Sequence, residues 1–298
     1  MYIKEGSREK DLIKEIQKEI GVLIDGDFGP MTKAAVQRWQ LAHGLNPDGI
    51  VGPDTMEEMG ILDTDISNNL YKLDNGLQIE RYHLPRGEYI ENPKNGKDND
   101  YVFIHHTAGW ENPYRVIDSW GRDSRGRVAT EFVIGGQKVT TNADKHDGRV
   151  LQAFPEGCQG WHLGRVGSDH MRRHSVGIEI CAFGYLKGGK TYVGGTVIKN
   201  QVSELDEEFR GFYRWHKYSD AQIESTRKLL LHIAKRDNID LKVGLVEWIH
   251  KYGGNKAFEF QQEAYEGNVK GLLTHTNVRK DKYDNFPQPE LIDMLLTL

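Results

Sequence analysis

Cysteine is nearly absent from this chain, with only Cys158 and Cys181 among 298 residues. That excludes a disulfide-built scaffold and leaves two reduced, structural thiols as the expectation. Long hydrophobic runs are missing as well. Nothing approaches the roughly 18 to 20 apolar residues that cross a bilayer, so no membrane insertion is expected. The opening residues, Met1-Tyr2-Ile3-Lys4-Glu5-Gly6-Ser7-Arg8, lack the apolar core and cleavage site of a secretory signal. The expectation is a chain made in the cytoplasm, needing some other delivery if it works outside. An excess of positive charge is also lacking. The formal charge is −5; residues 1–63 hold 7 Lys+Arg against 12 Asp+Glu, and the remainder holds 32 of each. No basic stripe for nucleic acid or anionic lipid follows from that balance. What is present is ordinary for a globular protein, 38% hydrophobic and 28% charged, in a length that fits about two domains.

An internal repeat organises the first domain. Asp25-Gly26-Asp27-Phe28-Gly29-Pro30-Met31-Thr32 recurs as Asp48-Gly49-Ile50-Val51-Gly52-Pro53-Asp54-Thr55. In both, glycines permit a tight turn, the proline presets the first helical turn, and the threonine is expected to cap nearby donors. Leu12, Ile16 and Ile20 fall on one face of a helix ending at Gly21. Ala35, Val36 and Trp39 line a second ending at Gly44, and a short third around Met56 and Met59 stops at Gly60. The turns and periods place an all-α three-helix domain over 1–63, with a polar linker over 64–72 and a second domain over 73–298. The first domain resembles the three-helix peptidoglycan-binding domain of bacterial and phage cell-wall hydrolases. The resemblance spans residues 8–62 and implies peptidoglycan as the partner.

The second domain is anchored on Tyr101-Val102-Phe103-Ile104-His105-His106-Thr107, a buried strand running into two histidines. Imidazole at a strand end is either a metal ligand or a hydrogen-bonded structural residue, and spacing alone leaves both open. In His174-Ser175-Val176-Gly177-Ile178-Glu179-Ile180, alternation sets Glu179 on the face opposite Val176 and Ile178. A carboxylate in so apolar a strand needs either a partner or a chemical task. A third stretch, Leu272-Leu273-Thr274-His275, ends a strand in histidine and continues as a polar loop with Lys282 and Asp284. His275 and Asp284 meet only if that loop curls back, since an extended chain would hold them about 30 Å apart. Strands near 77–82, 131–134 and 148–154, and helices near 116–120, from Ser219 onward and over 289–296, complete a mixed α/β pattern. His232, beside the Ile223, Leu229, Leu230 and Ile233 stripe, reads as solvent-facing. Pro93 to Asp100 reads as a loop.

Phe103-Ile104-His105, Trp161-His162-Leu163-Gly164, Ser175-Val176-Gly177-Ile178-Glu179, and His275 with Lys282-Tyr283-Asp284, in this order, resemble the zinc-dependent N-acetylmuramoyl-L-alanine amidases of the amidase-2 type. That group includes the peptidoglycan recognition proteins. The resemblance spans residues 95–298, with insertions near 184–215 and 240–270. It implies an α/β fold, a mixed central sheet flanked by helices, with Zn2+ held by His105, His275 and Asp284. It favours His105 over His106 as the ligand. It further implies that Glu179 is the proton carrier and Lys282 the oxyanion stabiliser. His106, Thr107, Trp161 and His162 would line the substrate site. Relatives carry a tyrosine where this chain reads Ala129-Thr130-Glu131-Phe132, so Glu131 is a candidate substitute there. The loop after His275 also lacks the relatives' Ala-Pro pair. Three ligands leave a fourth position for water, as a catalytic zinc site requires.

Joined to a wall-binding module, these features imply a monomeric peptidoglycan hydrolase cleaving between N-acetylmuramic acid and L-alanine. The setting expected is a phage endolysin acting at the bacterial wall once a holin opens the membrane. The rivals are a bacterial autolysin, a stem-peptide endopeptidase on the same fold, and a non-catalytic peptidoglycan receptor.

Overall fold

The computed structural model describes residues 2–61, 69–91, 98–141 and 143–298. Residues 64–68 of the expected linker and 93–97 of the expected loop therefore lie outside the described residues. The chain divides into two compact units, Met1–Leu70 and Tyr71–Leu298. Among the described residues no helix is long and apolar enough to cross a membrane.

The first unit carries α1 (Lys10–Glu19), α2 (Pro30–Ala42) and α3 (Pro53–Glu58). Its core is Ile13, Ile16, Phe28, Val36, Val51, Met56 and Met59, joined by Ile3 through a bridge to Val51. The turn repeat extends further back than the sequence motif. Gln17 Nε2 donates to Asp25 Oδ1, to the Asp27 carbonyl and to Thr32 Oγ1, while its Oε1 accepts from the Gly26 amide. Gln40 does the same at Asp48, Ile50, Thr55 and Gly49. Gly26 and Gly49 sit at φ +75 and +73, a conformation open to glycine at little cost. The expected threonine cap is corrected here. Gly29 is the N-cap of α2 with no side-chain cap, and Thr32 Oγ1 instead donates to the Asp27 carbonyl. Thr32 thus closes its own turn, and Thr55 accepts from Gln40 in the second copy.

Strands β1 (Leu70–Lys72), β2 (Gln78–Arg81), β3 (Tyr101–His106), β4 (Phe132–Ile134), β5 (Val150–Gln152) and β6 (Ser175–Ile180) join a later strand, β9 (Gly271–Thr274). They form a seven-stranded sheet in the order β1-β2-β5-β4-β6-β3-β9. β7 (Val202–Phe209) and β8 (Phe212–His216) make a separate antiparallel hairpin. The linker reading over 64–72 thus runs too far, because 70–72 pair into the sheet. Leu70, Tyr71 and Lys72 are too mixed in polarity for so short an edge strand to show in the sequence. β3 runs parallel to β6 and β9, β4 parallel to β6, β2 parallel to β5, and β4 antiparallel to β5.

Alternation along the strands separates two cores. Phe132, Ile134, Val102, Ile104, Ile178 and Ile180 belong to the larger one, with Leu229, Leu230 and Ile233 of the helix Asp220–Asp237. That helix opens with a capping box between Ser219 and Gln222. His232 on it is half-buried. Val133 and Leu151 point the other way, to Tyr114 and Ile117 of the helix Pro113–Trp120. Cys158 and Cys181 are both free thiols.

Candidate metal centre

Strand register brings the distant stretches together. His105 pairs with Glu179 across β3 and β6, and Ile104 pairs with Thr274 across β3 and β9. Paired residues of neighbouring parallel strands share a face. His105 and Glu179 therefore project together, and His275 follows one residue beyond the β9 partner of Ile104. The expected polar loop after His275 begins instead as a one-turn helix, His275–Val278. Thr274 Oγ1 accepts from the Asn277 amide and Asn277 Oδ1 accepts from the Thr274 amide, so this reciprocal cap fixes the backbone that carries His275. The Thr-x-x-Asn spacing is the sequence signal for it.

The chain then curls back, the Thr276 amide donating to the Asp284 carbonyl at 3.1 Å. His105 Nδ1 lies 3.2 Å from His275 Nδ1 and 3.1 Å from Asp284 Oδ2, and His275 Nδ1 lies 3.0 Å from the same oxygen. The three atoms form a nearly equilateral triangle. Ligands about 2.0–2.1 Å from a tetrahedral zinc sit about 3.3 Å apart, so the triangle has the dimensions of one face of such a site. Two imidazole nitrogens and a carboxylate oxygen also suit that ion chemically.

The neighbours of His105 accommodate the tautomer that a metal ligand needs. Burial, above all, depresses the His105 pKa to about 4, so the ring is neutral near pH 7. His105 Nε2 is 3.0 Å from His162 Nδ1, and His162 Nε2 is 2.8 Å from Ser175 Oγ. With Nε2–H of each histidine donating along this relay, the lone pair of His105 Nδ1 faces the triangle. Gly177 makes room for it, since a Cβ there would stand 3.0 Å from His162 Cγ and 2.7 Å from Thr130 Cγ2. The glycine between Val176 and Ile178 is thus needed for close approach.

A cleft of about 1240 Å³ opens over the triangle, lined among others by Thr107, Trp161, Glu179 and Lys282. Burial raises the Glu179 pKa well above the usual carboxylate range, the Asp284 charge adds to this, and Lys282 opposes it. Burial alone would raise the Asp284 pKa, but the adjoining His275 and His105 rings outweigh it and hold the carboxyl well below the usual range.

His106 also lines the cleft. Its Nδ1 is 2.8 Å from Tyr218 Oη, which accepts from Asn285 Nδ2 at 3.0 Å, so it is fixed by the residue next to Asp284. Thr107 Oγ1 accepts from the Ala182 amide and joins the ends of β3 and β6.

Glu131 is the correction. It does not line the cleft; its carboxylate is buried against Arg236, with Oε1 2.7 Å from Nη1 and Oε2 3.2 Å from Nη2. A carboxylate so buried needs a cation, and the helix Asp220–Asp237 supplies one. Sequence reasoning also missed Tyr218, which no spacing links to His106. It missed the cleft-lining Arg125, Arg165, Arg172 and Arg279 too, concealed within the even balance of charge over residues 64–298.

The fold and the triangle together define an α/β protein with a candidate single-metal centre at the carboxyl ends of parallel strands. Residues 95–258 match the family model for N-acetylmuramoyl-L-alanine amidase, and residues 12–59 match that for a peptidoglycan binding domain. The first match covers more than half of the chain, which therefore belongs to the N-acetylmuramoyl-L-alanine amidase family. It ends before His275, Lys282 and Asp284; the triangle holds the first and third of these, and the cleft lining includes Lys282.

Two curated relatives match over short stretches. The zinc D-Ala-D-Ala carboxypeptidase of Streptomyces albus G is 60% identical over 42 residues, 14% of this chain and 16% of that protein. The N-acetylmuramoyl-L-alanine amidase CwlL of Bacillus licheniformis is 54% identical over 39 residues, 13% of this chain and 11% of that one. The matches thus span less than a fifth of either relative. Among solved structures, the N-acetylmuramoyl-L-alanine amidase LysC from Clostridium intestinale is similar at 14% identity and a TM-score of 0.36, covering 72% of this chain and 97% of that one.

Proposed function

We propose that this chain is a peptidoglycan hydrolase that cleaves the amide between the lactyl carbonyl of N-acetylmuramic acid and L-alanine. The observation that carries the reading is the triangle of His105 Nδ1, His275 Nδ1 and Asp284 Oδ2 beneath a cleft shared with Glu179. These three residues would hold Zn2+. When bound, that ion would supply Lewis acidity toward the scissile carbonyl and lower the pKa of water toward about 7. Glu179 accepts the proton of the attacking water as the C–O bond forms, and returns it to the alanine nitrogen as the C–N bond breaks. A carboxyl with a raised affinity for protons suits the second half of that exchange. Lys282 stabilises the oxyanion of the tetrahedral intermediate. His162 and Ser175 keep His105 in its ligand tautomer, and His106, Thr107 and Trp161 shape the wall against which substrate rests.

The first unit anchors the enzyme to the wall, in keeping with its family match. A phage lytic enzyme is the setting we favour, because a wall anchor joined to a wall hydrolase suits lysis from a fixed position better than fragment recycling. A holin gene beside the coding sequence would support it.

Metal analysis of the purified protein tests the centre. The wild type is expected to hold about one zinc per chain and His105→Ala far less. Mass analysis of digested sacculi tests the bond. Release of stem peptides with a free alanine amine, lost with a chelator and restored by zinc, is the expected result. New termini within the stem would establish an endopeptidase instead, and muropeptide binding without turnover would establish a receptor.

A further inference from the structure

The two insertions that separate the site's sequence stretches converge on one loop. Arg210 stands at the tip of the β7–β8 hairpin, where Phe209 pairs with Phe212 across a two-residue turn. Arg210 and Gly211 take φ +53 and +89, the left-handed pair that such a turn demands and that Asn-Gly fills best. An arginine in the first of these positions is held against backbone preference, which directs attention to its side chain.

That side chain is 9% exposed. Its Nη1 donates to the Lys280 carbonyl at 2.6 Å, the Lys282 carbonyl at 3.1 Å and the Arg279 carbonyl at 3.4 Å, and its Nη2 donates to the Thr276 carbonyl at 3.2 Å. One guanidinium thus binds four carbonyls of the loop that runs from His275 to Asp284. Its Nε lies 3.0 Å from Glu259 Oε2, an ion pair without hydrogen-bond alignment. Glu259 belongs to the second insertion, whose Ala257 and Glu259 carbonyls accept from Asn277 Nδ2 at 2.8 and 2.9 Å.

We propose that Arg210 is a positioning residue that sets the 276–282 loop, and through it Asp284 Oδ2 and Lys282, against His105 and His275. The inference rests on the metal reading above. A planar fork with five donors holds several carbonyls at once, which a lysine ammonium does less well.

The informative variant is Arg210→Asn. Asparagine suits the turn, so the hairpin is kept while the clamp is removed. With the full chain, zinc affinity measured against a chromophoric chelator is expected to fall about 10- to 100-fold. The melting temperature of the metal-free protein should stay within a few degrees of wild type, and backbone exchange over 276–284 should quicken. Arg210→Lys should recover part of the affinity, and guanidinium added to Arg210→Asn at non-denaturing concentration should recover part as well. Unchanged affinity and exchange in Arg210→Asn would overturn the proposal, as would a loss of affinity matched by a general drop in melting temperature. If the wild type binds no zinc, the metal reading fails, and the exchange over 276–284 in the metal-free proteins still decides whether Arg210 orders the loop.

Discussion

Glu131 and Glu179 are both carboxylates set beside apolar strands, and the protein treats them in opposite ways. Arg236 neutralises the first, whereas the second faces a cleft with its proton affinity raised by burial and by Asp284. Their substitutions should separate accordingly. Among the described residues, Glu131→Ala leaves Arg236 with Asp237 as its charged partner, and chemical denaturation should show a loss of about 3 kcal/mol, the lower end for a broken buried pair. Glu179→Gln should fold and hold zinc like the wild type while turnover of muropeptide falls about 10²- to 10⁴-fold. The sequence could not tell the two apart. Alternation shows which face a residue takes, but the cation that decides its fate lies 105 positions away for Glu131. What the sequence did show is the shared face of Gly177 and Glu179, because residues two apart in one strand point the same way.

At the scale of elements, the turns were legible and their internal bracing was not. Glycine, proline and helical period located α1 to α3, because each acts on its own few residues. The bracing by Gln17 and Gln40 was not read because a glutamine on a helix has no local signature, although each stands eight positions before the aspartate of its turn. Gln40→Ala would strip the buried Gly49 amide, the Ile50 carbonyl and Thr55 Oγ1 of a partner. Each buried group left unsatisfied costs about 1–3 kcal/mol, a large fraction of what so small a unit has. Hydrogen exchange over residues 30–61 of the full chain should rise by at least an order of magnitude, with the second unit unchanged. The insertions at 184–215 and 240–270 were visible only as gaps in a resemblance. Their hairpin and short helices find their partners in the 276–282 loop, a relation that no periodicity records.

For the whole molecule, the division of labour can be tested by cutting the chain. The compact unit beginning at Tyr71 contains every residue of the cleft. Expressed without residues 1–70, it should turn over soluble muropeptides at a rate close to the full chain, yet sediment poorly with intact sacculi. Equal sedimentation of the two forms would remove the anchoring role from the first unit. The two-unit plan itself was legible, since a turn repeat gives way to strand alternation. The exact junction was not, because the three residues of β1 carry too short a pattern to separate from the polar stretch before them.

His105 and His275 leave adjacent strands, so the distance between their backbones is fixed by the sheet's own pitch of about 4.8 Å. Asp284 has no such ruler; it hangs from a closed loop. A wider ion such as Cd2+ would thus be accommodated on one side only, by the carboxylate backing away while the imidazoles stay in place. Selectivity for ion size in this protein becomes a question of how stiffly a single arm is sprung.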